Sequence, residues 1–116
     1  MKNLVRTLCC VVLLAGVASA AEIQGILMDK MCSAKTATGG QKAAMEHDRD
    51  CALANACQRS GYGVFTADNK WLNFDADGNK QALAALKAST KKDNLAVTVN
   101  GDVQGDTIKV ASLKLQ

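Results

Sequence analysis

The chain has 116 residues, of which 48% are hydrophobic and none is proline, and it carries a formal net charge of +3 at neutral pH. A chain of this length and composition suits one folded domain rather than two domains or a disordered tail. Its basic residues are dispersed, with Lys91-Lys92 as the only adjacent pair, whereas nucleic-acid binding needs a concentrated basic surface. The composition therefore excludes nucleic acid as an expected partner.

The N-terminal segment has the three parts of an export signal. Lys2 and Arg6 give a positive start, an apolar stretch follows, and small side chains lead to a cleavage position after Ala20. The apolar stretch is roughly ten residues long, whereas a helix needs about twenty to cross a bilayer. We therefore predict a signal peptide over residues 1–20, a single mature domain over residues 21–116, and a periplasmic or secreted location without a stable membrane anchor.

The first half of the mature domain combines one strand with a helical segment. The apolar run over residues 23–28 predicts the first strand. Small polar residues over 33–40 predict a surface loop. Helix-forming residues over 41–59 predict one helix or two short ones, ended by Gly61 as a C-cap. Residues 33–60 together form a predicted helical insertion.

The next segment predicts a hairpin followed by a helix. Two aromatic-containing runs, 62–66 and 70–74, flank a short turn and predict the second and third strands. Asp75 opens a turn whose sequence superficially resembles a calcium loop but lacks the ligand order of an EF-hand. We therefore predict that this turn caps a helix over residues 80–89.

Two further strands complete the predicted domain. Leu95, Val97 and Val99 alternate with polar or small neighbours, as in a half-buried strand. In the last strand the apolar phase changes near Ala111-Ser112, which predicts a β-bulge. The order of elements predicts an α+β, mainly β fold, namely a small OB-like five-stranded barrel with a helical insertion after the first strand and a helix between strands three and four. A ferredoxin-like sandwich is the rival, although it uses four strands.

The candidate chemistry lies in four residues that remain after removal of the signal, Cys32, His47, Cys51 and Cys57. Because three is an odd number of cysteines, an internal disulfide cannot include every thiol. On a continuous helix, His47 and Cys51 would point the same way one turn apart. Cys51 and Cys57 could be joined only if the helix broke between them, because a disulfide needs Cα atoms within about 7 Å.

Two non-catalytic interpretations of these residues stay open. The first is a structural disulfide from Cys32 to Cys51 or Cys57, with one thiol left over. The second is a site for zinc or copper(I) built from the three cysteines and the histidine, with Met28 or Met45 as a thioether donor. If a disulfide joins Cys32 and Cys57, Cys51 remains as the free thiol.

A third interpretation is catalytic. His47 could activate Cys51 as a nucleophile, but the sequence shows no third group that would orient the imidazole. The sequence therefore predicts a non-enzymatic protein.

Several short motifs occur together, namely 27–32, 47–52, Cys57, 61–64 and the closing strands over 97–110. Their order resembles that in a family of small exported bacterial proteins with an OB-like core and a Cys/His-bearing insertion. The resemblance implies this fold and an exported location, and it brings no established activity. We therefore expect a small exported binding protein, with a transition-metal ion or a protein as its partner. The alternative is a disulfide-stabilised structural or interaction module without metal or catalysis.

Overall fold

Five strands close into a barrel in the computed structural model, which describes residues 21–116. The predicted signal peptide, residues 1–20, lies outside the described residues. The strands are β1 (Ala21–Asp29), β2 (Tyr62–Thr66), β3 (Trp71–Phe74), β4 (Ala96–Gln104) and β5 (Thr107–Leu115). The helices of this part of the chain are α1 (Lys30–Glu46), α2 (Arg49–Ala52), α3 (Asn55–Ser60) and α4 (Ala76–Ala88).

The barrel closes because the two edges of β1 pair with different strands. The first half of β1 pairs with β4 and the second half with β2, so that Ile26 lies opposite both Ala96 and Phe65. Neighbouring strands are antiparallel except β3 and β5, which run parallel. The order β1-β2-β3-β5-β4 confirms the predicted α+β OB-like barrel. A four-stranded ferredoxin-like sandwich is excluded.

Apolar residues of the strands and of α4 form the main core. Leu95, Val97 and Val99 are at most 1% exposed, which confirms the predicted alternation. Ala82 and Leu86 of α4 belong to the same buried cluster. Burial of these apolar side chains gives the barrel its hydrophobic core.

The predicted bulge is present in β5. Asn100 pairs with Ser112 and Gly101 pairs with Val110, so Ala111 has no partner on β4. A side chain at Gly101 would collide with the backbone of β5. Glycine is therefore required where the bulged strand approaches most closely.

The predicted hairpin between β2 and β3 is also confirmed. The following helix, α4, begins earlier than the predicted residue 80, because Asp75 already acts as its N-cap. One carboxylate oxygen of Asp75 accepts hydrogen bonds from the backbone N–H of Gly78 at 2.9 Å and of Val110 at 3.2 Å. The predicted capping role of Asp75 is confirmed, and the second bond links α4 to β5.

The predicted loop over residues 33–40 is wrong, since these residues belong to α1. Asp29 ends β1 and caps α1, with its carboxylate accepting a hydrogen bond from the backbone N–H of Cys32 at 2.9 Å. Thr36 is buried and its hydroxyl donates to a carbonyl of the preceding turn at 2.6 Å. Polar residues therefore satisfy their hydrogen bonds inside the helix. Gly40, with a φ of 63° and a ψ of −153°, is not helical, so α1 consists of two helical pieces that meet at a kink there.

The helical segment predicted over residues 41–59 is divided into three pieces. His47 has extended backbone angles and ends α1 as its C-cap. Asp48 then starts α2 by accepting a hydrogen bond from the backbone N–H of Cys51 at 2.6 Å. The predicted placement of His47 and Cys51 one turn apart on a common helix is therefore wrong. The C-cap predicted at Gly61 is confirmed, with a φ of 88°.

Candidate metal centre

Three sulfur atoms meet where α1, α2 and α3 approach one another. Cys32 lies in the first turn of α1, Cys51 in α2 and Cys57 in α3. Their Sγ atoms all lie within 4.8 Å of one another. Cys57 is buried, whereas Cys32 and Cys51 are half-buried, and all three are free thiols. The fold therefore brings together every cysteine that lies within residues 21–116.

The spacing of the sulfur atoms suits a single metal ion. Zinc–thiolate bonds are about 2.3 Å long, so two sulfurs at a tetrahedral angle on one zinc ion lie about 3.8 Å apart. The Sγ atoms of Cys32 and Cys51 are 3.8 Å apart. A disulfide bond is about 2.05 Å long, so these two cysteines are not at bonding distance.

A turn between two short helices brings Cys57 back toward Cys51. α2 ends at Ala52, and α3 begins at Asn55 after a change of direction. The hydroxyl of Tyr62 donates a hydrogen bond to the carbonyl of Ala52 at 2.6 Å, which ties the turn to β2. The helix is therefore broken between Cys51 and Cys57, as their approach requires. The hydrogen bond from Tyr62 fixes this break against the barrel.

Asp29 and His47 form a second group beside the sulfurs. The His47 Nε2 and Asp29 Oδ1 atoms are 2.8 Å apart, and the two side chains are 8% and 0% exposed. Ligand atoms of Asp29, His47 and Cys32 lie within 4.8 Å of one another. Cys32 belongs to both groups, whereas among the described residues His47 is grouped with Cys32 and not with Cys51 or Cys57.

Asp29 is ionised in the folded protein. Burial by itself raises the pKa of Asp29, but hydrogen bonds from His47 and from the backbone N–H of Cys32 outweigh burial and lower this pKa to about 2. An ionised carboxylate accepts a hydrogen bond from the Nε2–H of His47, and in the neutral imidazole the Nδ1 atom is then the nitrogen with a lone pair. Carboxylates orient metal-binding histidines in this way. The sequence interpretation missed Asp29, although an aspartate just before a helix is typical of an N-cap.

The thiols of Cys32 and Cys57 hold their protons at neutral pH. Burial raises the pKa of the Cys32 thiol, and the charge of Asp29 and the hydrogen bond with Cys51 raise it further. Burial and then the charge of Asp29 also raise the pKa of the Cys57 thiol. A metal ion would replace these protons on binding. Cys32 and Cys57 are therefore not preformed thiolates. In the catalytic interpretation His47 would activate Cys51, but the imidazole is hydrogen-bonded to Asp29.

A cavity of about 290 Å³ opens onto the sulfur atoms. Cys32 and Cys51 form part of its wall, whereas the buried Cys57 does not. Met28, one of the predicted thioether donors, also lines this cavity. The other, Met45, is 45% exposed and lies outside the wall. The cluster is therefore accessible from one side.

No protein-family model, curated protein or solved structure matches this chain. The resemblance to small exported bacterial proteins therefore stays a prediction. Within residues 21–116, every helix is too short or too polar to span a membrane. The functional argument consequently rests on the geometry of the cysteine and histidine groups.

Proposed function

We propose that the chain is a small exported binding protein whose ligand is a soft transition-metal ion, with Cys32, Cys51 and Cys57 as the ligands. The observation that carries this proposal is the approach of the three sulfur atoms to within 4.8 Å of one another. The three cysteines lie on separate helices, so this approach is a product of the fold rather than of a local sequence motif. Thiolate ligands favour zinc and copper(I) over hard cations such as magnesium and calcium.

The role of His47 depends on which metal ion binds. Zinc usually takes four ligands, and the imidazole of His47 would be the fourth beside three thiolates. Copper(I) is satisfied by soft sulfur ligands alone, and His47 would then only be paired with Asp29. Substitution of His47→Gln is thus expected to weaken zinc binding and to leave copper(I) binding nearly unchanged.

The second candidate function is a disulfide-stabilised interaction module. The specific observation that favours it is the 3.8 Å separation of the Cys32 and Cys51 sulfurs, which a small side-chain rotation would close. Such a bond would tie α1 to α2 and would leave Cys57 as the unpaired thiol. A disulfide in a small exported domain is worth about 2–4 kcal/mol.

Serine substitution of each cysteine tests the metal site. In the reduced mature protein, Cys32→Ser, Cys51→Ser and Cys57→Ser are each expected to weaken zinc or copper(I) affinity by at least about 100-fold, because each removes one ligand bond. Affinity is measured by competition with a coloured chelator. Ser33→Ala is the matched control, because Ser33 follows Cys32 in α1 and its hydroxyl only donates to the carbonyl of Lys30 at 2.6 Å.

The intact mass of the protein isolated from the periplasm separates the two candidates. The metal site predicts a product that begins at Ala21, retains three free thiols and takes up one equivalent of metal. A mass lower by two hydrogen atoms with one free thiol supports the disulfide module. A reduced protein that takes up neither zinc nor copper(I) contradicts the proposed function.

A further inference from the structure

Two of the three clustered cysteines share both the cavity and a direct sulfur–sulfur contact. The Sγ atoms of Cys32 and Cys51 are 3.8 Å apart, and both residues line the cavity of about 290 Å³. Cys57 is buried and lies outside the cavity wall. A reagent that enters from solvent therefore meets Cys32 and Cys51 before it meets Cys57.

The backbone of each of these two cysteines is fixed at the start of a helix. The N–H of Cys32 donates to the carboxylate of Asp29 at 2.9 Å, and the N–H of Cys51 donates to the carboxylate of Asp48 at 2.6 Å. A disulfide bond is about 2.05 Å long, so the two sulfurs must move closer before they bond. Rotation about the Cα–Cβ bonds moves the sulfurs while both helix caps stay in place. The pair is therefore placed to form a disulfide without the unfolding of either helix.

A metal ion and a disulfide cannot use these two sulfurs at the same time. Only the thiolate form of cysteine binds a metal ion, and a disulfide between Cys32 and Cys51 removes two thiolates at once. Cys57 and the imidazole of His47 would then remain, whereas zinc usually takes four ligands. The disulfide form is therefore expected to bind zinc much more weakly than the dithiol form.

The charges around the pair determine which oxidant reaches it. Lys35 and Glu46 carry opposite charges on the cavity wall. With zinc bound, the three thiolates and the ionised Asp29 bring four negative charges against the two positive charges of the ion. The loaded site is thus net negative and repels an anionic reagent, and the small volume of the cavity favours a compact one. The oxidant that fits is a small uncharged disulfide.

We propose that the cluster is a redox-controlled metal site, in which a small uncharged disulfide joins Cys32 to Cys51 and so releases the metal ion. The inference rests on the proposed function, because it requires a metal ion at the three cysteines. It differs from the disulfide-stabilised module, since here the disulfide is reversible and takes the place of the metal.

The reaction consists of two thiol–disulfide exchanges. The thiolate of one cysteine attacks a sulfur of the small disulfide, and a small thiolate leaves. The second cysteine then attacks the sulfur of the first, the bond between Cys32 and Cys51 forms, and the second small thiolate leaves. Two electrons pass from the cysteines to the small disulfide, whose thiolates take protons from solvent, and the oxidation state of the metal does not change. A reductant restores both thiols and with them the metal site.

Zinc release and thiol oxidation are measured on the same sample. Zinc is titrated first into the reduced mature protein, and bis(2-hydroxyethyl) disulfide is then added with a coloured zinc indicator. One equivalent of zinc is expected to be released in step with the loss of two thiols, and the zinc affinity is expected to fall at least about 100-fold. The intact mass should be lower by two hydrogen atoms, which excludes a mixed disulfide. A phosphine reductant is expected to restore three thiols and zinc binding.

Peptide mapping of the oxidised wild-type protein identifies the bond and depends on no variant. It is expected to join Cys32 to Cys51 and to leave Cys57 as the free thiol. Cys57→Ser is the matched variant, because it removes the buried cysteine and is expected to form the same bond.

The charge of the oxidant is tested with 3,3′-dithiodipropionate, an anionic disulfide. Its rate of zinc release, divided by its rate with an uncharged model thiol, is expected to be several-fold lower than the same ratio for bis(2-hydroxyethyl) disulfide. Added salt is expected to reduce this difference.

Failure of the proposed function and failure of this inference are distinguishable. If the reduced protein binds no zinc, the proposed function falls and the inference falls with it. If zinc binds but bis(2-hydroxyethyl) disulfide removes no thiols or leaves zinc bound, the metal site stands and the inference is overturned. The inference is also overturned if Cys57 is part of the bond, if the reductant does not restore zinc binding, or if the two disulfides give equal ratios.

Discussion

Asp29 uses its two carboxylate oxygens for different purposes. Oδ2 accepts a hydrogen bond from the backbone N–H of Cys32 and so starts α1, while Oδ1 pairs with His47. The side chain is fully buried, so the charge depends on these partners rather than on water. A single residue therefore fixes the start of the helix that carries Cys32 and the position of the imidazole.

Removal of this carboxylate is expected to cost much more than removal of an ordinary helix cap. Asp29→Ala should lower the free energy of unfolding by about 3 kcal/mol, because it leaves buried polar groups unpaired. Asp48→Ala is the matched control, since Asp48 also caps a helix but accepts only the capping hydrogen bond from the backbone N–H of Cys51, and it should cost about 1 kcal/mol. Urea denaturation of the reduced proteins measures both values. Equal losses in the two variants would contradict a buried pairing of Asp29 with His47.

The three helices of the insertion depend on contacts with the barrel. α2 and α3 are short, and helices of this length are not stable in isolation. The hydroxyl of Tyr62 in β2 donates to the carbonyl of Ala52 at the end of α2. This bond places the turn after which Cys57 approaches Cys51. The geometry of the sulfur cluster is therefore set by the strand to which the helices are attached.

The ionisation of Tyr62 reports on this contact. Burial raises the pKa of Tyr62 to about 12 from an ordinary value of 10.0, and the charge of Asp29, together with that of the Cys57 thiolate once it forms at high pH, adds to the effect. Because the folded state holds the proton more tightly, the stability contribution is complete below about pH 10 and is lost as the pH rises through about 12. Tyr62 is the only tyrosine of the chain. The tyrosinate absorbance of the native protein should therefore appear near pH 12, and a midpoint near pH 10 would show that the hydroxyl is exposed.

The sequence predicted the strands better than the insertion, for a physical reason. Period-two alternation, as at Leu95, Val97 and Val99, follows directly from burial on one face of a strand. The start of α1 depends instead on Asp29, whose capping role is hidden when the residues that follow read as a loop. The end of α1 at His47 depends on Asp48, which starts a new helix in a segment rich in helix formers.

The candidate site was only partly predictable for the same reason. The sequence identified all four Cys and His residues, because their chemistry is rare in this chain. The sequence did not show which of these residues lie together, because that depends on the helix breaks and on the pairing of His47 with Asp29. Both features arise from tertiary contacts. The expected placement of His47 and Cys51 on one helix face was therefore wrong, and the approach of Cys51 to Cys57 became apparent only in the folded chain.

At the scale of the whole molecule, the hydrophobic core and the sulfur cluster are separate. The main buried cluster of the barrel contains no cysteine of the described segment, and Cys32 is the one cysteine of that segment that packs against the smaller cluster beneath α1. Metal ions that hold a small domain together usually replace such a core. Here the barrel supplies the core, so folding does not require an ion at the proposed metal site.

Metal-free protein is consequently expected to unfold cooperatively, and metal is expected to raise its stability only by mass action. At a free metal concentration of 100 times Kd, binding adds about 2.7 kcal/mol, which corresponds to a rise in Tm of roughly 10–20 °C for a domain of this size. The double variant C32S/C51S, which retains the buried Cys57, should keep the barrel and show no rise. Differential scanning calorimetry of both reduced proteins, with and without zinc, measures these shifts. If the metal-free wild-type protein shows no cooperative transition, the barrel does not fold without the ion, which contradicts the separation of the hydrophobic core from the proposed metal site.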